Sequence, residues 1–383
     1  MENFKVYNPT KLHFGKDVVS KSGKILSSFG HRVLLIYGRG SVKKNGIYQT
    51  VISELKSSGC EIFEYGGIKS NPVFEDVDAA AALARESKVD VIIALGGGSV
   101  IDTAKMVALT ACVTHSSWDF FTHKKEVKKA LPLMCILTLA ATGTEMNPYA
   151  VIQNDVTHEK RSYGHPLIFP KHSFLDPAFT LSVPYDYTAY GICDVIAHAL
   201  EAYFGKGRAD LTDNIIIEIV KETMHKGKLL LSNLQNYDLR ADIMLAATLA
   251  LNGTTTYGKS YGDWGVHSIG HVLSSLYDIP HGASLSIAYP AWLRLHKEKL
   301  SDKILFLGEK LMNAANVEET IEKLEQFFRT IKCPVSLNEI PQKTRKSEVL
   351  QQLQRQKVNG YYHKITDNDY VTLADLMYAG HIN

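Results

Sequence analysis

The chain predicts an α/β domain built on a parallel sheet, followed by an all-helical domain. Through the first half, apolar runs of strand length alternate with helical stretches, the pattern of βαβ units. Beyond Asp176-Pro177 and Val183-Pro184 the apolar residues recur instead at three and four, the period of helices that bury one face. The boundary is placed at Pro184, giving an α/β domain over 1–184 and a helical domain over 185–383. With 383 residues, 45% hydrophobic and 21% charged, the chain can bury two substantial cores.

In order, Phe4 to Phe14 alternates around an Asn-Pro-Thr turn and predicts a small hairpin, whose exposed edge strand could pair with a second subunit. Strands are expected near 32–37, 61–65, 90–95 and 133–138, with helices near 45–58, 75–88 and 99–111. In the second half, helices are expected over 213–232, 240–256, 302–314 and 317–331. Stripes such as Ile215-Ile216-Ile217 read as core. No internal repeat or low-complexity linker interrupts the chain.

The run Asp90-Val-Ile-Ile-Ala-Leu-Gly96-Gly97-Gly98-Ser99-Val-Ile-Asp102-Thr-Ala-Lys105 reads as strand, tight turn, helix. Glycines there let backbone amides approach a pyrophosphate, and the helix N-terminus adds free N–H groups and a positive dipole end; Ser99 is the expected cap. The turn is neither Gly-x-Gly-x-x-Gly nor a P-loop. A second strand, His31 to Tyr37, ends in Gly38-Arg39-Gly40-Ser41-Val42-Lys43-Lys44. No carboxylate stands there to bind ribose hydroxyls and repel a 2′-phosphate, which favours NADP(H) over NAD(H). Its plain alternative is a solvated basic loop, which explains the lysines better than Gly38 and Gly40.

Metal-ligand spacing appears in the second half. Asp194 and His198 stand four apart, as do His267 and His271, so each pair shares a helix face; His281 follows between Pro280 and Gly282, where the chain must leave a helix. A single Asp-x-x-x-His step is ordinarily an exposed polar pair, but two such steps and a further histidine shift that balance. Three imidazoles and a carboxylate suit one Zn²⁺ or Fe²⁺ and suit the all-oxygen preferences of Ca²⁺ or Mg²⁺ poorly. Spacing alone separates neither zinc from iron nor His267 from His271 as a ligand.

A net charge of +2 with no recurring basic and aromatic pattern argues against a nucleic-acid partner. The start, Met1-Glu-Asn-Phe-Lys5, has no apolar targeting segment, and no run reaches the roughly 18 apolar residues of a membrane span, so a cytoplasmic protein is expected. Cys60, Cys112, Cys135, Cys193 and Cys333 are odd in number, contain no Cys-x-x-Cys and predict free, mostly buried thiols. Cys193, although beside Asp194, reads as a small core residue.

Six segments together resemble the iron-containing, or group III, metal-dependent alcohol dehydrogenases, in the butanol dehydrogenase and broad-range NADPH aldehyde reductase branch. They are Tyr37-Gly-Arg-Gly-Ser-Val-Lys-Lys-Asn-Gly46, Gly66-Gly-Ile-Lys-Ser-Asn-Pro72, Gly96 to Lys105, Leu137-Thr-Leu-Ala-Ala-Thr-Gly-Thr-Glu-Met-Asn147, Asp194-x-x-x-His198, and His267-Ser-Ile-Gly-His271 with Pro280-His281-Gly282. The resemblance covers nearly the whole chain. It implies a Rossmann-like parallel sheet and a helical domain, the dehydroquinate synthase-like architecture, and a homodimer joined through the N-terminal edge strand.

The resemblance further implies a metal held by Asp194, His198, His267 and His281. His271 matches the histidine that stays off the metal, near the nicotinamide, where it relays a proton. Gly96, Gly97, Gly98, Ser99 and Asp102 match pyrophosphate and ribose contacts. Gly38, Arg39, Gly40, Ser41 and Asn71 fall in matching cofactor segments, and Thr138, Thr142, Asn147, Lys160 and Phe179 match positions around the nicotinamide.

The expected reaction is hydride transfer between NAD(P)H and short-chain aldehydes or primary alcohols, the ion polarising the carbonyl oxygen. It would take place in a cleft between the two domains, with Tyr149, Trp264 and Phe179 lining the substrate pocket. A lyase similar to dehydroquinate synthase would require basic residues converging on a phosphate-bearing substrate. A metal hydrolase would not need the Gly96 to Ser99 turn.

Overall fold

The structure, a computed structural model, describes residues Met1–Ala379. They divide into two compact units. The first comprises Tyr7–Val183 with Leu234–Thr248. Its strands are β1 (Lys11–Phe14), β2 (Arg32–Gly38), β3 (Glu61–Ile68), β4 (Val91–Gly96), β5 (Leu133–Leu137), β6 (Tyr149–Asn154), β7 (Glu159–Gly164) and β8 (His172–Leu175). Six of these form one sheet in the order β1-β8-β5-β4-β2-β3, every pairing parallel, while β6 and β7 form a separate antiparallel pair. Helices α1 (Ser22–Leu26), α2 (Ser41–Lys44), α3 (Ile47–Ser57), α4 (Phe74–Glu86), α5 (Gly98–Thr110) and α6 (Trp118–Phe121) connect them.

The parallel sheet explains the unbroken apolar strand runs. β4 lies between β2 and β5 and is buried throughout. Alternate residues feed two cores: Leu34, Ile36, Ile92 and Ala94 join α4 and α5, while Val33, Leu35, Val91 and Ile93 join α3. A strand covered on both faces shows no polar alternation.

The expected N-terminal hairpin does not form. Residues 1–10 carry no regular structure, and β1 pairs in parallel with β8, from Lys11 opposite His172 to Phe14 opposite Leu175. The Asn-Pro-Thr turn is nevertheless used: Asn8 Oδ1 accepts from Thr10 N at 3.2 Å, and its Nδ2 donates to Met146 O at 2.8 Å. The asparagine thus docks the segment instead of reversing it. β1 remains an edge strand.

The second unit comprises Met1–Val6, Pro184–Asn233 and the described residues from Leu249 to Ala379. It is helical, with α7 (Tyr185–Tyr203) and α8 (Asp210–Ser232) preceding α9 (Tyr237–Leu251), most of which belongs to the sheet unit. Then come α10 (Gly265–Tyr277), α11 (His281–His296), α12 (Ser301–Met312), α13 (Val317–Thr330), α14 (Lys346–Gln356) and α15 (Asp367–Ala379). A single cut at Pro184 therefore misplaces two segments. Arg240 donates to Val183 O at 3.0 Å and Thr248 Oγ1 to Glu145 Oε1 at 2.6 Å, which hold α9 with the sheet. Glu2 N donates to Gly258 O at 2.9 Å and the Phe4 ring stacks on Tyr257, which hold the first residues with the helices. No helix among the described residues is long and apolar enough to cross a membrane.

The helical unit carries an acid-sensitive group. His296, at the end of α11, packs against the rings of Trp292 and His363, and burial pulls its pKa down to about 4, with His363 adding to the effect and Asp263 opposing it. The unfolded chain binds this proton at pH 6.5 and the folded one does not, so stability present above pH 6.5 is lost as pH falls toward 4. The loss reaches at most about 3 kcal/mol. In denaturant titrations from neutral to mildly acid pH, His296→Gln is expected to show a shallower decline than the parent; an identical decline would place the acid sensitivity elsewhere.

Candidate functional site

In the helical unit, α7, α10 and α11 bring the metal-type residues together. Asp194 and His198, 2% and 5% exposed, lie one turn apart on α7. His267, on the first turn of α10, is 6% exposed. His281 is the first residue of α11, following Pro280, rather than the end of a helix as the proline had implied. Asp278 in the left-handed conformation ends α10 and turns the chain.

Two glycines let these helices approach. A Cβ on Gly282 would stand 2.1 Å from Tyr190 O, so only glycine allows the first turn of α11 to abut α7. A Cβ on Gly270 would meet Leu285 and Ser284 side chains at 2.9 Å.

Asp194 Oδ1 stands at the centre, 3.3 Å from His198 Nδ1, 3.8 Å from His281 Nε2 and 3.9 Å from His267 Nε2. Ligands about 2.1 Å from a tetrahedral ion stand roughly 3.4 Å apart, so this spacing fits one shared ion. Asp194, His267 and His281 form the tightest group, their ligand atoms all within 4.8 Å of one another. His198 adjoins it, its ring centroid 4.5 Å from that of His267.

The electrostatics agree with a metal. His198 Nδ1 and His267 Nε2 are buried and make no hydrogen bond among the described residues, a costly state unless an ion completes them. Burial first, then the neighbouring His267, holds the His198 pKa well below the usual value, which favours the neutral imidazole that a metal requires. His271 lies outside the group; it is half-buried, with its ring centroid 5.7 Å from that of His281. Trp264, expected to line the pocket, places its ring 5.1 Å from His267 and 6.1 Å from His198.

In the sheet unit, the Gly96 to Ser99 turn joins β4 to α5 as expected, but its details differ. Gly97, not Ser99, occupies the cap position, and Ser99 Oγ donates to Ser70 O at 2.6 Å, tying the start of α5 to the segment after β3. The glycines are required by the protein itself: a Cβ would meet Val100 at 2.5 Å from Gly96 and Thr142 at 2.7 Å from Gly98. Asp102 likewise faces inward, accepting from Thr144 Oγ1 at 2.6 Å and Val151 N at 2.9 Å. The Asn147 amide, 2% exposed, accepts from Lys105 and Tyr149 N and donates to Gly143 O. Lys160 Nζ donates to Asn71 Oδ1 at 2.9 Å. Thr138 follows β5, and Phe179 packs beside the α3 core.

At the end of β2, Arg39 and Ser41 are exposed and Gly40 adopts φ 135°. Lys43 is engaged elsewhere: its ammonium lies 4.7 and 4.6 Å above the Tyr37 and Tyr48 rings and 4.0 Å from Glu64. Of the basic residues in this loop, Arg39 and Lys44 are the exposed ones with no such engagement.

Two residues escaped sequence reasoning. Lys105 is fully buried and donates to Thr144 Oγ1 at 2.6 Å, Tyr149 O at 2.7 Å and Asn147 Oδ1 at 3.1 Å, so it holds the 144–149 loop against α5. Its desolvation brings the pKa down to about 8 despite Asp102 nearby. Glu201 is the other, buried beneath His267. Its signal was readable: Asp194, His198 and Glu201 stand at i, i+4 and i+7 of one helix. All five thiols are free, with Cys135, Cys193 and Cys333 buried; Cys193 is a core residue whose thiol burial pushes up.

Residues 9–177 match the family model described as iron-containing alcohol dehydrogenase, and residues 188–376 match the C-terminal model of the same family. The chain is similar to a probable NADH-dependent butanol dehydrogenase 1 of Bacillus subtilis, 38% identical, over 87% of this chain and 88% of that one. It is also similar to the NADPH-dependent aldehyde reductase YqhD of Escherichia coli, 34% identical, over 88% and 89%. The crystal structure of an NADH-dependent butanol dehydrogenase A from Thermotoga maritima superposes with a TM-score of 0.95 at 35% identity, covering 99% of both chains.

Proposed function

The chain belongs to the iron-containing alcohol dehydrogenase family and is an NAD(P)H-dependent oxidoreductase of alcohols and aldehydes, and from that premise we propose that it reduces short-chain aldehydes to primary alcohols with NADPH. One divalent ion, Fe²⁺ or Zn²⁺, would be held by Asp194, His198, His267 and His281. The observation that carries this is Asp194 Oδ1 within 3.9 Å of three imidazole nitrogens, all on buried or half-buried side chains. When bound, the ion would polarise the aldehyde oxygen and the reduced nicotinamide would supply the hydride.

The chain's own residues do the rest. Asp194 is the anionic ligand, so it sets the charge of the centre. His271 stands near that group but outside it, and its imidazole would deliver the proton that the product alcohol oxygen takes up. The amide groups opening α5 would receive the pyrophosphate. The Trp264 ring packs edge-on against the His198 and His267 rings and would limit how those rings turn. The enzyme would act in the cytoplasm, where five free thiols stay reduced. It would form a homodimer through β1, an edge strand.

Preference for NADPH rests on the loop after β2, where no carboxylate stands between Gly38 and Lys44 and Arg39 is exposed. The test is absorbance of the reduced nicotinamide with butanal, before and after chelation and with Zn²⁺ or Fe²⁺ restored. Metal-dependent consumption, faster with NADPH, is the expected result; none with either cofactor in metal-replete protein would overturn the reading. A side chain fits at Gly38, where an added Cβ meets nothing closer than 3.8 Å. Gly38→Asp is therefore expected to shift the kcat/KM ratio toward NADH by about tenfold or more, the equivalent of ~1.4 kcal/mol of repulsion. Unchanged KM values for both cofactors would sink the specificity argument.

A further inference from the structure

Glu201 lies seven residues after Asp194 on the same face of α7 and is 1% exposed. Its Oε1 accepts from His267 Nδ1 at 3.0 Å and from His267 N at 3.0 Å, and its Oε2 accepts from the backbone N–H of Trp264. One carboxylate therefore satisfies donors at the start of α10 from a neighbouring helix and holds the ring of the histidine beside them. Trp264 is in the left-handed region at φ 62°, a conformation that a non-glycine residue keeps only when its surroundings enforce it.

We propose that Glu201 is a positioning residue of the metal centre, fixing His267 with its proton on Nδ1 and its bare Nε2 toward Asp194 and His281. This rests on the metal reading above. An imidazole that donates Nδ1–H to a carboxylate presents Nε2 as a stronger and better oriented ligand. The charge also closes: Asp194 and Glu201 together carry two negative charges, which balance a divalent ion among neutral imidazoles. Glu201 Oε1 is the acceptor that faces His267 Nδ1, at 3.0 Å.

The two roles of the carboxylate, capping a helix and orienting a ligand, are separable. Zn²⁺ affinity of the parent, Glu201→Gln and Glu201→Asp is measured by competition with a chromophoric chelator, beside thermal unfolding of the metal-free proteins. Glu201→Gln keeps the shape but turns an amide N–H toward the Trp264 N–H, and a Zn²⁺ affinity roughly 10- to 100-fold weaker is expected. Glu201→Asp keeps the charge on a shorter arm and should weaken binding by less; it carries the comparison if the glutamine variant does not fold. Lower unfolding temperatures with unchanged Zn²⁺ affinity in both variants would overturn the proposal, leaving Glu201 a cap only. A parent protein that binds no Zn²⁺ or Fe²⁺ would overturn the metal reading itself, an outcome distinct from tight binding by parent and variants alike.

Discussion

Asp194→Ala is expected to remove the bound metal and lower turnover by about three orders of magnitude or more, since Lewis-acid stabilisation of several kcal/mol is lost with the ion. Asp194 Oδ1 is the atom that three imidazoles share at 3.3 to 3.9 Å. Without it the site offers only neutral nitrogens, one of them on His198, whose pKa burial already depresses. Metal content by elemental analysis and cofactor oxidation measured on the same preparation give the answer together. The metal-free fold should survive, because the carboxylate of Glu201 still holds α10 to α7. Parent-level metal in the variant would show that the ligand set has been misassigned.

His271→Ala is expected to behave in the opposite way, keeping the metal and losing turnover by roughly 100-fold at neutral pH, the ordinary worth of a positioned general acid. Its ring lies 5.7 Å from that of His281, one helical turn beyond His267, so truncation leaves the proposed ligands in place. The pH–rate profile should lose the limb that the imidazole supplies, and added free imidazole should restore part of the rate. Loss of metal would make His271 a ligand, and an unaltered rate would leave the proton to water. The two variants together divide the histidines into those that hold the ion and the one that serves the product.

Much of the sheet was legible because buried parallel strands announce themselves locally. Arg32–Gly38, Val91–Gly96 and Leu133–Leu137 are apolar runs bounded by turn residues, and each was expected within a residue or two. β8 was not, since His172–Leu175 is four residues long and its place is set by β1 and β5, which lie far from it in the chain. The β6 and β7 pair escaped as well. Its turn is organised by Asn154 Oδ1 accepting from Val156 N and Thr157 N, and β7 reads Glu-Lys-Arg-Ser-Tyr-Gly, with little apolar pattern to reveal it. The N-terminal hairpin failed for a related reason: alternation marks a strand but does not name its partner.

The site divides along the same line. By itself the sequence determined the helix faces, because 3.6 residues per turn place Asp194 with His198, and His267 with His271, whatever surrounds them. It also determined that a glycine turn would open α5. Only the tertiary structure decided which rung of each face meets which neighbour. His267 and not His271 reaches Asp194 because α10 is rotated so that its first turn sits on Glu201, and α11 enters at His281 because Gly282 lies against Tyr190 O. The same glycines that suggested a phosphate turn proved to be needed against Val100 and Thr142 as well. Periodicity is a property of one helix; rotation and approach are fixed by packing between helices, which no single stretch of chain contains.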